Sequence, residues 1–442
     1  MLGSIDLPDC VYSKEAILIS PINPTPNHTL YLSNLDDQMF LRFCIKYLYL
    51  FKKSINLEKL KYSLSRVLVD YYPLAGRLRK CPENDHKLQV DCNGEGAIFA
   101  EAFLDLSADE LLVISNKPDK SWRKLLCKVE AQCFLDIPPL VVQVTSLRCG
   151  GMILCTAINH CLCDGIGTAQ FLHAWAHFTN NPTISLPITP FHSRHVLKPH
   201  DPTEITSIHP AFTKTPLDPQ FGLNLHQYLL SQPIAPASII FSQSQILHLK
   251  RQCSPSVKST SFEVLASHTW RCWIKSLNLP KTVKPELPQG YYGNGFVLGC
   301  AEAPVKQMVN GNLQDTVKLV QHAKSELTNE RVKSIVELLE DHTVRTDLST
   351  SLVISQWSRL GLEEVNFGEG KPIQMGPLTS DIYCLFLPSV GEIDAVRVLV
   401  SLPENAVKKF EYYMKELWEV NDVNGDIIKG HIQYENHKMI SA

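Results

Sequence analysis

Apolar residues recur along this chain with two periods. Met152–Ile158 is a nearly unbroken apolar run with the length and β-branched content of a buried strand. Phe171, Leu172, Trp175 and Phe178 follow at three- and four-residue steps, one stripe of an amphipathic helix. Between them lies Asn159-His160-Cys161-Leu162-Cys163-Asp164-Gly165-Ile166-Gly167, so a histidine stands where a strand ends and the chain turns toward a helix. Earlier, Arg42–Phe51 reads as a strand, and Leu57, Leu60, Leu64 and Val67 as a helix capped by Asn56. Pro138-Pro139-Leu140 opens an extended run to Arg148, which Cys149-Gly150-Gly151 can close into a hairpin. Later, Thr260 and Glu263 have the spacing of a capping box ahead of Phe262, Leu265, Ala266, Thr269 and Trp273. Asp315–Glu340 predicts one long helix or a bent pair.

Where the periods stop, the chain divides. Between Asn180 and Gln220 lie eight of the 28 prolines with little hydrophobic period, which reads as an extended connection. The division expected is residues 1–180, a crossover over 181–225, a second domain over 226–420 and a mobile tail over 421–442. A length of 442 residues supports two or three domains. A hydrophobic content of 44% and a charged content of 20% are those of a soluble globular protein. Net charge −3 gives no reason to expect nucleic acid, so any polyanion must meet a local basic cluster. The fourteen cysteines form no C-x-x-C pair, and no secretory or membrane-spanning apolar stretch is apparent. A cytoplasmic, monomeric protein with reduced thiols and no membrane span is the expectation.

The candidate chemistry centres on His160. An ordinary histidine is largely neutral near pH 7 and can take a proton, and Gly165 and Gly167 leave room for a ligand. Alone, an H-x-x-x-D spacing is weak, since a chain with sixteen histidines yields roughly one by chance. Cys161 and Cys163 flank His160, but sequence neighbours rarely point at each other, so a Cys–His nucleophile is disfavoured. His173 and His177 lie four apart on a helix without a third ligand at suitable spacing, so no metal is expected.

Other stretches give His160 a context. Leu32-Ser33-Asn34-Leu35-Asp36, Tyr71-Tyr72-Pro73-Leu74-Ala75-Gly76-Arg77 and Asp91-Cys92-Asn93-Gly94-Glu95-Gly96 precede it. Lys258-Ser259-Thr260-Ser261-Phe262-Glu263 with His268-Thr269-Trp270-Arg271, and Asn366-Phe367-Gly368-Glu369-Gly370-Lys371-Pro372, follow it. Together with His160, Asp164 and Gly165, these strings resemble the BAHD family of plant coenzyme-A-dependent acyltransferases over nearly the whole chain. The resemblance implies an α/β fold of two similar domains, each a mixed β-sheet flanked by helices. That fold is chloramphenicol-acetyltransferase-like, with an active-site channel at the interface.

The resemblance further implies acyl transfer from acyl-CoA, a co-substrate rather than a bound cofactor, to a hydroxylated small-molecule acceptor. His160 would be general base, Asp164 would fix the loop, and Ser355 and Trp357 would serve as oxyanion donors. Lys258, Ser259 and Thr260 would meet coenzyme A, which agrees with the affinity of a helix N-terminus for anions. The strings around His160 and Trp357 are most similar to relatives acting on long-chain alcohols or hydroxy fatty acids, which suggests cuticle or suberin metabolism.

The chain also departs from the family. About a dozen residues that include an arginine partner for the motif's aspartate are absent between Val283 and Lys284; Lys281, Lys284 and Arg359 are candidate substitutes. Asn366 and Glu369 replace the family's Asp and Trp. These departures fit an alternative, a non-catalytic acyltransferase-like partner protein, as in fatty-acid elongation, or an impaired splice form.

Overall fold

The computed structural model describes residues 6–114, 120–199, 211–213, 233–255, 257–276, 289–341, 344–346, 352–378, 384–392 and 394–419. The junction between Val283 and Lys284, with Lys281, and the tail over 421–442 lie outside the described residues, as does most of the crossover.

Two mixed sheets organise the two-domain α/β fold. The larger combines β1 (Ile17–Ile19), β3 (Cys44–Phe51), β6 (Ala97–Leu104), β7 (Leu140–Leu147), β8 (Met152–Asn159) and β13 (Gln374–Pro377). Its order is β1–β6–β7–β8–β3–β13, with only β6 and β7 parallel. A three-stranded sheet of β2 (Thr29–Tyr31), β4 (Arg77–Cys81) and β5 (Asn84–Asp91) adjoins it. The second main sheet contains β10 (Ile234–Phe241), β12 (Ile354–Gln356), β14 (Cys384–Pro388) and β15 (Val396–Pro403), in the order β10–β15–β14–β12. β9 (Phe212–Thr213) and β11 (Arg345–Thr346) form a separate antiparallel pair. β13 comes late in the chain yet completes the first sheet, placing Pro377 opposite Tyr47.

The helices are α1 (Leu57–Asp70), α2 (Ala108–Ile114), α3 (Gly165–Asn180), α4 (Gln243–Arg251), α5 (Ser261–Ser276), α6 (Val305–Asn310), α7 (Leu313–Ser325), α8 (Asn329–Leu338) and α9 (Glu404–Glu419). Asn56 caps α1 through the Lys59 N–H, a contact worth about 1 kcal/mol. α1 packs on α3, where Trp175 Nε1 donates to Ser63 Oγ at 3.0 Å. Asp315–Glu340 is the bent pair: α7 ends near Glu326 and Thr328 caps α8 through the Arg331 N–H. The strand expected from Arg42 begins at Cys44, because Met39–Leu41 form a 3-10 turn that captures the Arg42 N–H.

Every residue of β8 is buried, which explains its continuous rather than alternating apolar run. Its hairpin with β7 turns at Gly150, whose φ of +81° lies in the left-handed region that suits glycine. Of the two departures, Asn366 is hydrogen-bonded within its turn, while Glu369 is exposed 3.8 Å from Lys53. Asn366 Oδ1 accepts from the N–H groups of Gly368 and Gly370, and buried Phe367 packs edge-on against Phe51 and Trp175. No helix among the described residues is long and apolar enough to cross a membrane.

Candidate active site

β8 delivers His160 to the gap between the two halves. Its backbone N–H donates to the Phe43 carbonyl at 2.9 Å, extending the pairing of β8 with β3 by one residue. The ring packs edge-on against Phe43 and tilted against Phe296, with centroids 5.2 and 6.1 Å away. Nδ1 is buried without a hydrogen-bond partner. Burial pulls the imidazole pKa from 6.5 to about 4, against the opposing pull of its own backbone carbonyl, the Asn294 side chain and the Asp36 charge. His160 is therefore a neutral imidazole throughout the physiological range.

Both carboxylate oxygens of Asp164 are met by backbone N–H groups. Its Oδ1 accepts from the Gly167 N–H at 2.9 Å and caps α3, while Oδ2 accepts from the Gly295 N–H of the other half at 3.3 Å. Arg359, a candidate cation for Asp164, is exposed at the cavity rim. Gly167 permits this junction: a Cβ there would lie 1.9 Å from the Tyr292 carbonyl oxygen.

Beside the loop sits a network that the sequence does not single out as functional. Asp36 accepts from the backbone and side-chain N–H groups of Asn294 at 2.8 and 3.1 Å. Asn294 in turn donates to the His160 carbonyl at 2.6 Å. Arg194 from the crossover is fully buried, lies 3.5 Å from Asp36, and donates to the Leu162 carbonyl at 3.0 Å. Its guanidinium covers the rings of Tyr292 and Tyr291 at 4.5 and 4.9 Å. Burial works against that charge, but Asp36 and the two phenols outweigh it and raise the Arg194 pKa. The strings around Asp36 and Asn294 are visible in the sequence, but their meeting at His160 spans 258 residues of chain.

Ser355 lies on β12, and Trp357 follows directly after it. The indole Nε1 donates to Ser355 Oγ at 3.1 Å, and the ring stacks on Tyr47 at 5.1 Å with planes 9° apart. The Trp357 donor is thus already engaged, which leaves the Ser355 hydroxyl hydrogen as the free donor of the pair. The two expected donors lie on the same side of the chain within reach of each other.

α5 closes the opposite side. The capping box is formed: the Thr260 N–H donates to Glu263, and the Glu263 N–H donates to Thr260 Oγ1. Glu263 is buried and ion-paired with Lys324. Its pKa is lowered: burial pushes it up, but Lys324, the Thr260 N–H and Gln321 prevail. Lys258 is exposed, and its carbonyl accepts from Gln321 at 2.8 Å. Ser259 is partly buried beside Cys253. Lys324 is a cation that the sequence does not mark, since α7 reaches α5 only in three dimensions.

These parts enclose a cavity of about 520 Å³. His160, Asp164, Ser355, Trp357, Thr260 and Lys324 all border it; Lys258 and Ser259 stand outside its wall. The rest of the lining is mostly apolar, including Phe40, Ile45, Phe262, Leu298, Leu385 and Leu399. Cys161 and Cys163 are fully buried, and burial raises both thiol pKa values, so neither is a nucleophile. His173 and His177 place Nε2 on the carbonyls of Gly361 and Ile184. Among the described residues no group of three or more His, Cys, Asp or Glu side chains could hold a metal.

The Transferase family model matches residues 11–417. Omega-hydroxypalmitate O-feruloyl transferase of Arabidopsis thaliana is 33% identical, with 91% of this chain and 92% of that protein covered. Fatty alcohol:caffeoyl-CoA acyltransferase of the same plant is 32% identical over 91% of this chain and 98% of its own length. Among solved structures, vinorine synthase superposes with a TM-score of 0.65 at 21% identity, covering 91% of this chain and 97% of its own. F. graminearum TRI101 complexed with coenzyme A and T-2 mycotoxin gives a TM-score of 0.72 at 14% identity, covering 86% and 96%.

Proposed function

The chain belongs to the Transferase family, the BAHD acyltransferases, and from that premise we propose that it moves an acyl group from coenzyme A to the hydroxyl of an aliphatic acceptor, with His160 as general base. The observation that carries this reading is a neutral, buried-side imidazole bordering one cavity with the Ser355 hydroxyl and the start of α5. As the acceptor oxygen attacks the thioester carbonyl carbon, His160 Nε2 takes the hydroxyl proton. The Ser355 hydroxyl, which accepts from Trp357 Nε1, donates to the developing oxyanion; loss of such a donor typically costs about 2.7–4 kcal/mol. Collapse breaks the C–S bond, and the proton on His160 passes to the coenzyme A thiolate, giving ester and free thiol. No covalent enzyme intermediate is needed.

Lys258 and Thr260 flank the start of α5 and are the groups we assign to the coenzyme A phosphates, with Ser259 beside them. The relatives named for a hydroxylated fatty acid and for fatty alcohols, both from a plant, support a long-chain acceptor and a role in cuticle or suberin esters. All fourteen cysteines are unpaired, which supports a reducing compartment such as the cytoplasm. Asp164 accepts hydrogen bonds from Gly167 and Gly295, so the shortened sequence after Val283 is no argument by itself for a non-catalytic protein.

The test incubates purified protein with a panel of acyl-CoA donors and alcohols and reads free-thiol release. Acceptor-dependent release that His160→Ala abolishes is expected. A folded protein inert with every pair would favour the non-catalytic alternative.

A further inference from the structure

Trp357 belongs to the second half by its backbone and to the first by its side chain. It follows β12, and its N–H donates to the Phe386 carbonyl of β14 at 2.7 Å. Its indole, however, is buried with the core of the first half. There Tyr47 of β3 lies flat against it, with ring centroids 5.1 Å apart and planes 9° apart. Tyr47 is fully buried and held in mid-sheet, opposite Thr156 of β8 and Pro377 of β13. Its hydroxyl has no hydrogen-bond partner among the described residues, so the ring face, not the hydroxyl, makes the contact.

The donor edge of the indole meets Gly165, the residue after Asp164. A Cβ at Gly165 would lie 3.4 Å from Trp357 Cε2, the ring carbon bonded to Nε1, and 3.5 Å from Cζ2. It would also lie 2.9 Å from Leu360 Cδ1, well inside the usual approach of two carbons. The room that the sequence offers a ligand at Gly165 is therefore taken up by this indole. Tyr47 confines the ring on its face and Gly165 admits its edge. In that pose Nε1 reaches Ser355 Oγ at 3.1 Å. The bond occupies one lone pair of the hydroxyl and leaves its O–H to turn toward the cavity that Ser355, Tyr47 and Gly165 all border.

We propose that Tyr47 and Gly165 are positioning residues for the oxyanion donor: they hold the Trp357 indole in the pose that orients the Ser355 hydroxyl. The inference rests on the acyl-transfer reading and adds to it two residues that act through Trp357 rather than on the reacting atoms. One stretch of chain then serves both ends of the reaction. The Phe43 carbonyl, just ahead of β3, holds the His160 N–H, and Tyr47 within β3 holds the donor pair. The donor is also a joint product of the two halves, since the second supplies its side chains and the first sets their pose.

The experiment fixes one acyl-CoA donor and one alcohol and measures kcat and KM separately. Tyr47→Leu keeps an apolar side chain but no ring. It is expected to lower kcat about 10-fold or more, part of the roughly 10²–10³-fold that loss of an oxyanion donor costs, with both KM values little changed. Tyr47→Phe keeps the ring and should restore most of kcat. In a Ser355→Ala background Tyr47→Leu should lower kcat no further, because its effect runs through that hydroxyl. Equal losses in both backgrounds would mean that Tyr47 only supports the fold, and would overturn the proposal. A second readout does not depend on turnover. In protein isotope-labelled at its tryptophans, the Trp357 indole N–H resonance is the one that Trp357→Phe removes. It should shift, and exchange faster with solvent, in Tyr47→Leu but not in Tyr47→Phe; a resonance that stays in place overturns the proposal. Gly165→Ala should move the same resonance and show the same dependence on Ser355, and it decides alone if Tyr47→Leu does not fold. Wild-type transfer that neither variant slows removes the positioning role alone. A wild type inert with every donor and alcohol removes the acyl-transfer reading, and the indole resonance then decides the positioning by itself.

Discussion

Two helix N-termini meet at the cavity, and they are closed in opposite ways. At α3 the cap is the Asp164 carboxylate, buried and bonded to both halves through Gly167 and Gly295. At α5 the cap is the Thr260 hydroxyl, exposed at the cavity, and the carboxylate of its capping box is matched by Lys324. A helix N-terminus favours one anion. Where the chain supplies that anion itself, as at α3, the site is filled and its work is structural. Where a lysine balances the chain's own anion and Lys258 stands nearby, as at α5, the helix start is left without a chain anion of its own, and it is there that we propose the substrate phosphate sits. On that proposal the same local chemistry yields a hinge pin on one side and a binding edge on the other.

The largest effect that could break this contrast lies in the loop leading to α3. His160→Ala is expected to lower kcat by about 10²–10⁴-fold with folding intact, the usual scale for a positioned base. A folded variant of equal activity would remove the base. In wild type the acid limb of kcat/KM should fall at about pH 4 rather than near 6.5, because the imidazole is held neutral down to that pH. A limb near 6.5 would mean that the free enzyme opens the site to water.

Gly167→Ala tests the junction between α3 and Tyr292, where backbone meets backbone. The added methyl cannot be absorbed by a side-chain rotation, so a stability loss at or above the usual 1–3 kcal/mol of overpacking is expected in denaturant unfolding. An unchanged midpoint would show that the halves separate easily. Asp164 sharpens the point. Asp164→Asn keeps a capping group and should cost less than Asp164→Ala, which forfeits about 1 kcal/mol of capping as well as the Gly295 contact. Equal losses would mean that charge, not the cap, holds the loop.

Smaller changes are expected at α5. Lys258→Ala should raise KM for acyl-CoA a few-fold, and added salt should then weaken the variant less than wild type. Lys324→Met should instead lower stability, because it strands the buried Glu263 carboxylate. If the two lysines exchange these phenotypes, the assignment of the binding edge is reversed.

Three buried histidines set a pH dependence for the whole fold. Burial lowers His160, His192 and His268 to about 4 each. Between about pH 6.5 and 4 the unfolded chain binds protons that the native chain refuses, so stability should fall as pH falls through that window. Unfolding free energies measured across it give the check.

Much of this was legible in the sequence because it is local. The β8 run, the Asn56 cap, the Thr260–Glu263 box and the position of His160 at a strand end each depend on neighbours within a few residues. What stayed hidden is what the fold brings together from afar. Asp36, Arg194 and Asn294 come from three distant stretches, and none has a partner in sight until the halves close. Lys324 reads as an ordinary helix lysine. The Ser355–Trp357 bond was missed for a different reason: spacing gave both donors, but not that one would point at the other.

The strand β13 has a consequence for how this protein is made. The first sheet ends at β3 until Gln374–Pro377 arrive to cover that edge. On the ribosome, the first half therefore emerges with one edge of β3 uncovered, and it stays so while some two hundred further residues are translated. An uncovered edge of that kind is a template for pairing with another chain. Release factors, stalling or a premature stop anywhere before residue 374 should accordingly yield not a stable half-enzyme but a client for chaperones, and the nascent chain's safety is set by the last strand of its first sheet.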